Sequence, residues 1–125
     1  GQWLDVRDKT QLDSALKALN QLAPENGTNL GKAFIAANQL NPKPDNIYLV
    51  TDGLPTQGLE SSTKTTISGK DRVRLFNKAV EKIPARTPIN IIMTPIEGDP
   101  YAAIAFWRLS LATQGSFMSP SRDWP

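Results

Sequence analysis

Two oxygen donors stand where a strand-and-helix protein keeps its chemistry: Thr28 at the start of one helical pattern and Asp52 at the end of an apolar run. A carboxylate and a hydroxyl are hard donors of the kind that hold Mg²⁺ together with several waters. The chain has no cysteine and no histidine, which excludes disulfides, thiol nucleophiles, zinc sites of Cys/His type and Ser-His-Asp catalysis. Any chemistry here therefore runs through oxygen ligands. Each residue also has a plain structural role open to it, since Asp before Gly makes turns and Thr caps helices. It is the two together that argue for a site.

The elements that position this pair follow from periodicity and turn signals. Leu12, Ala15, Leu16, Leu19 and Leu22 recur at helical spacing over Thr10 to Leu22, with Thr10 as N-cap, Asp13 answering it and Pro24 as the stop. A second helix starts near Thr28 or Asn29, carries Leu30, Ala33, Phe34, Ala37 and Leu40 on one face, and ends at Asn41-Pro42-Lys43-Pro44. The run Asn46 to Thr51 reads as a parallel strand covered on both faces, with Asp52 and Gly53 at its C-terminal end. Leu54 to Lys70 reads as a long exposed loop or hairpin, the place for a mobile flap. A third helix is expected over Asp71 to Lys82, and a second buried strand over Pro88 to Thr94, closed by Pro95. Glu97-Gly98-Asp99 makes the next turn, with Asp99 as N-cap and Pro100 at the first helical position. The fourth helix runs to Gln114, Gly115 takes the left-handed C-cap, Ser116 to Met118 forms a short edge strand, and Pro120 to Pro125 is a polar tail. Trp107 on that fourth helix is expected to pack in the core.

This alternation of strands and helices predicts an α/β fold, a doubly wound, mainly parallel sheet joined by right-handed crossovers. Ligands of such sheets bind beyond the carboxyl ends of the strands, which here means Thr51-Asp52-Gly53 and Thr94 to Asp99. With 125 residues, 39% hydrophobic and 21% charged, the chain is one domain's worth of ordinary globular composition. No apolar run is long enough to span a membrane. Net charge is +2 and no block of five like charges occurs, so nucleic-acid binding is not supported. Lys70, Arg72, Arg74, Lys78 and Lys82 read as the solvated face of the third helix. Gly27 to Lys32 misses the spacing of a phosphate-binding loop, and the sequon Asn26-Gly27-Thr28 is read as chance.

Gly27-Thr28-Asn29-Leu30 before a helix, followed by Asn46-Ile47-Tyr48-Leu49-Val50-Thr51-Asp52-Gly53-Leu54-Pro55-Thr56, resembles the von Willebrand factor A-type domain over nearly the whole chain. That family is Rossmann-like, and its metal-ion-dependent adhesion site (MIDAS) is built from an Asp-x-Ser-x-Ser motif, a threonine and a Thr-Asp-Gly-type motif. By resemblance Thr28 matches the second element and Asp52 the third. Thr28 would then coordinate Mg²⁺ directly or through water, Asp52 mostly through water, and a carboxylate of a protein ligand would complete the shell. The rim so implied takes in Asn29, Gly53, Pro55 and Thr56, with the acidic pair Glu97 and Asp99. None of the eight aspartates begins an Asp-x-Ser-x-Ser sequence, and what is present resembles the second half of the family's sheet, without its first strands. The end of the chain, from Glu97-Gly98-Asp99-Pro100 through Phe106-Trp107 to Trp124-Pro125, is similar to a group of bacterial A-type proteins, some of them membrane-anchored. An extracytoplasmic or tethered setting is what that similarity implies.

An unpaired apolar first strand invites a neighbour. A partner segment, strand exchange between copies in a homo-oligomer, and an upstream N-terminal region of a longer protein are three expectations for that open edge. No leader is legible in Gly1 to Asp5. Functionally the leading expectation is a non-enzymatic protein-binding module of adhesion type, with an A-type scaffold whose metal site is empty as its near relative. The alternative is a Mg²⁺-dependent phosphoryl-transfer or hydrolytic enzyme in which Asp52, Glu97 and Asp99 would have to do the proton work. Gln57 and Ser61 to Thr66 are candidates for specificity because loops beside a site carry recognition.

Overall fold

The computed structural model describes residues 2–23, 27–60, 66–94 and 99–120. Pro24, Ser61 to Thr65, Pro95, Glu97 and Gly98, and the tail after Pro120, all named above, lie outside them. The elements are α1 (Lys9–Asn20), α2 (Leu30–Asn38), β1 (Ile47–Thr51), α3 (Gly69–Val80), β2 (Ile89–Met93), α4 (Ala102–Ala112) and β3 (Phe117–Met118). Their order is the expected one. The boundaries move where a stronger cap competes. Asp8, not Thr10, caps α1, its carboxylate accepting the Thr10 and Gln11 N–H groups, because a charged acceptor satisfies orphan helix donors better than a hydroxyl. The Gln11 side-chain amide is the main reason its carboxyl stays below the ordinary 3.8. α3 begins at Gly69, two residues ahead of Asp71, with Ser68 as its N-cap: the Ser68 hydroxyl accepts the Asp71 N–H at 3.2 Å and donates to Asp71 Oδ2 at 2.9 Å.

The sheet runs β1-β2-β3, all parallel, with Ile47 opposite Ile89, Leu49 opposite Ile91 and Ile91 opposite Phe117. Two right-handed crossovers that step the same way across a sheet leave their helices on one face. α3 and α4 obey this, and the Phe76 and Phe106 rings meet edge to face at 5.1 Å and 82°. α2 packs against α3 and adds Leu30 and Phe34 to a core made with Ile89, Ile91, Met93, Ala102 and Leu109. The opposite face is open: Tyr48 and Val50 are 69% and 68% exposed. That corrects the expectation of a strand covered on both faces. The described part of the sheet is wound on one side only.

Three further corrections follow. α1 is amphipathic, yet none of its residues is buried and Leu12, Leu16 and Leu19 face outward. On α4 the core aromatic is Phe106, fully buried, while Trp107 is 47% exposed; Phe106 falls on the Ala102 and Leu109 face and Trp107 one position off it. α4 ends with Gln114, not Gly115, in the left-handed region at φ 59°. Gly115 donates its N–H to Ser110 O at 2.8 Å in a Schellman closure. Its missing side chain serves another purpose, since a Cβ there would run into the Ile89 backbone. No helix among the described residues is long and apolar enough to cross a membrane.

Candidate functional site

Both sequence-derived donors lie on loops at the C-terminal end of β1, and those loops are joined. Thr28 N–H donates to Thr56 Oγ1 at 2.9 Å, and Thr28 O accepts the N–H groups of Thr56 and Gln57, each at 3.0 Å. Asn29 extends the seam: its side-chain amide donates to Gly58 O at 2.6 Å while its Oδ1 caps α2 through Lys32 N–H at 3.0 Å. Asn29 is therefore the cap of α2, which leaves the Thr28 hydroxyl uncommitted. Gly27 permits the approach. Its φ is +74°, and a Cβ there would collide with Thr56 Oγ1, so the residue before Thr28 has to be glycine.

The second loop is held from beneath. Thr51 Oγ1 donates to Gly53 O at 3.0 Å, bending the chain directly after β1. Leu54 and Pro55 then turn into the core, so the expectation of an exposed loop from Leu54 onward fails at its first two residues. Asp99 reaches across from the start of α4: its Oδ2 accepts Leu54 N–H at 2.7 Å and lies 2.8 Å from the Arg72 guanidinium. Arg72 also donates to Leu54 O, through Nε at 3.2 Å and through its terminal nitrogen at 2.5 Å. The Arg72 and Asp99 side chains are 15% and 2% exposed. Gly53 fits over this ion pair because a Cβ would stand 2.8 Å from Asp99 Oδ2 and 3.1 Å from Arg72.

Asp99 is thus a clamp for the Asp52 loop and not the N-cap of α4. The cap position is Tyr101, which makes no side-chain cap hydrogen bond. Arg72 is the functional-site neighbour that the sequence reading placed in solvent. A signal for it exists, because Arg72, Phe76 and Ala79 fall at i, i+4 and i+7 on one helical face, and Phe76 and Ala79 are buried.

Of the candidate residues, Thr28, Asn29, Asp52, Gly53, Pro55 and Thr56 come together on these joined loops. Thr28 and Asp52 are exposed, and neither the Thr28 hydroxyl nor the Asp52 carboxylate is engaged by another described residue. Glu97 lies outside the described residues. Among the described residues no group of three acidic, histidine or cysteine side chains converges as a metal cage, so the donor set is one hydroxyl and one carboxylate. Mg²⁺ is commonly held by one or two protein oxygens plus waters and ligand oxygens, and by type one hydroxyl and one carboxylate are the least that such a mode requires. Beside the seam a groove of about 610 Å³ runs between Asn29, Gly58 and α3, with Leu59 and Leu75 as apolar lining. Its cations Arg74, Lys78 and Lys82 are matched by Glu60, Asp71 and Glu81, so it carries no net charge preference. Compared with family models, with curated proteins and with solved structures, the chain matches none of them.

Proposed function

We propose that this chain is a non-enzymatic protein-binding module of von Willebrand A type, its three strands the counterpart of the second half of that doubly wound sheet. In this reading Thr28 and Asp52 hold Mg²⁺ at the strand C-terminal edge, and a carboxylate of the protein ligand completes the shell. The observation that carries it is the hydrogen-bonded seam between Thr28 and Thr56. Thr28 is fixed beside Thr56, 28 positions on in the same loop as Asp52, and among the described residues no side chain engages the exposed Thr28 hydroxyl or Asp52 carboxylate. Metal between them would turn a weakly binding oxygen pair into an electrophilic point for an anionic ligand group. The rigid support under Asp52, built from Arg72, Asp99 and Leu54, is what a preorganised binding loop requires.

Of the three carboxylates the hydrolytic alternative could use for proton work, Asp52, Glu97 and Asp99, the last has its Oδ2 committed to Leu54 N–H and Arg72. Paramagnetic Mn²⁺ in place of Mg²⁺ tests the reading. Broadening confined to the amide signals of Thr28, Asn29, Asp52 and Gly53, reversed by EDTA and absent in Asp52→Ala, is expected. Broadening centred elsewhere, or none, overturns it.

A further inference from the structure

Asp52 lies on a short span of chain that is fixed at both ends. Before it, Thr51 O accepts Thr94 N–H at 2.9 Å, which ties the end of β1 to the chain leaving β2. After it, Gly53 O accepts the Thr51 hydroxyl at 3.0 Å, and both backbone groups of Leu54 are taken. Asp99 Oδ2 accepts the Leu54 N–H at 2.7 Å, and Arg72 donates to Leu54 O through Nε at 3.2 Å and its terminal nitrogen at 2.5 Å. The same terminal nitrogen meets Asp99 Oδ2 at 2.8 Å, so guanidinium and carboxylate close a ring through Leu54. This ring is inside the fold, whereas Asp52 is exposed. Exchanging a whole buried ion pair for apolar residues of like volume is often neutral or stabilising. Fold stability alone therefore does not explain why these two charges are buried here.

We infer that Arg72 is a positioning residue of the metal site: it sets the cation affinity of Asp52 through the backbone of Leu54, and not by contact with the ion. The inference rests on the reading of Thr28 and Asp52 as the Mg²⁺ site. Groups that hold metal ligands in place from behind govern affinity nearly as strongly as the ligands themselves. The effect is greatest where ligands are few, because one hydroxyl and one carboxylate offer little binding energy with which to order a loose loop. Arg suits the position and Lys does not. Its planar fork supplies two nitrogens to Leu54 O and still reaches Asp99, whereas an ammonium is a single point. The sign of the effect sets positioning apart from charge. Arg72 is itself a cation, so by Coulomb's law alone its removal strengthens the binding of another cation. Positioning requires the opposite, that loss of this positive charge weakens metal binding.

The test titrates Mn²⁺ into the 125-residue chain and reads the unbound ion by electron paramagnetic resonance. Arg72→Met is expected to bind about 10-fold more weakly, against the Coulombic sign, and Arg72→Lys to fall between it and the unaltered chain. The double variant Arg72→Met/Asp99→Asn separates positioning from stability. It keeps the pair's net charge at zero and leaves an acceptor for Leu54 N–H, so its urea midpoint is expected to recover relative to Arg72→Met. Its Mn²⁺ affinity is expected to stay about 10-fold down, because Leu54 O still lacks its donors. Binding as tight as in the unaltered chain, or tighter, in any of the three variants overturns the inference and leaves the metal site standing. Mn²⁺ that the unaltered chain does not bind, or that Asp52→Ala still binds, overturns the site and the inference with it. Should Arg72→Met not fold, the double variant and Arg72→Lys decide.

Discussion

Thr28 and Thr56 are tied in both directions: the Thr28 N–H donates to the Thr56 hydroxyl at 2.9 Å, and the Thr56 N–H donates back to Thr28 O at 3.0 Å. This reciprocal pair makes one rim out of two loops. Replacing Thr56 by Val keeps the shape and the backbone bond but removes the acceptor for Thr28 N–H. Because Thr28 is exposed, water replaces part of the loss, and the expected cost is about 0.5–1 kcal/mol. Thr56→Ser is expected to restore it. Denaturant midpoints of the two variants check this, and equal midpoints would show that the seam contributes nothing.

Arg72 is the residue on which the Asp52 loop rests. Arg72→Met leaves the Asp99 carboxylate buried without its cation, and removing one partner of a buried pair costs about 3–5 kcal/mol. The double variant Arg72→Met/Asp99→Asn removes the orphaned charge and is expected to recover much of that loss. Urea unfolding of the singles and the double forms the cycle. A purely additive result would mean that the pair is not coupled.

The close of α4 makes a prediction in two directions. Gly115→Ala drives a Cβ into the Ile89 backbone and is expected to destabilise by about 1–3 kcal/mol, the range of overpacking in a dense interior. Gln114→Gly relieves a left-handed non-glycine residue and is expected to raise stability by about 0.5–1 kcal/mol. Thermal midpoints moving oppositely for adjacent residues are the expected readout.

α1 and α4 are both leucine-bearing helices, yet only one builds the core. Leu16→Ala in α1 is expected to change stability by under about 0.5 kcal/mol, as exposed positions do. Phe106→Ala, which empties the ring packed on Phe76, is expected to cost about 3–5 kcal/mol. Chemical denaturation of the two variants side by side measures the contrast.

These contrasts also mark what the amino-acid sequence discloses. Periodicity located the helices, as Leu30 with Phe34 and Phe76 with Ala79 repeat at helical spacing, while β1 and β2 were legible as apolar runs between turn signals and β3 only as the short stretch after Gly115. It could not say which apolar stripe finds a partner. The α1 leucines are as regular as the Ala102, Phe106 and Leu109 stripe of α4, and only the direction of the two crossovers decides that α3 and α4 share one face, with α2 packed on α3, while Tyr48 and Val50 stay bare. Thr28 and Asp52 were legible as donors from type and position. Their joining through Thr56 was not, since it rests on a left-handed Gly27 and on hydrogen bonds across 28 residues. Asp99 was legible as a turn acid but not as a buried clamp. Arg72 was read by charge, where its helical phase carried the better information.

Thermal unfolding in Mg²⁺ against EDTA, run in parallel on Asp52→Ala, tests the central claim most directly. At a hundred times Kd a ligand that binds only the folded state stabilises it by about 2.7 kcal/mol, which for a chain of this length raises Tm by roughly 10 °C. The metal site formed by Thr28 and Asp52 predicts that rise in the unaltered chain and its loss in Asp52→Ala. Identical midpoints in Mg²⁺ and EDTA, or a rise that survives in Asp52→Ala, would contradict it.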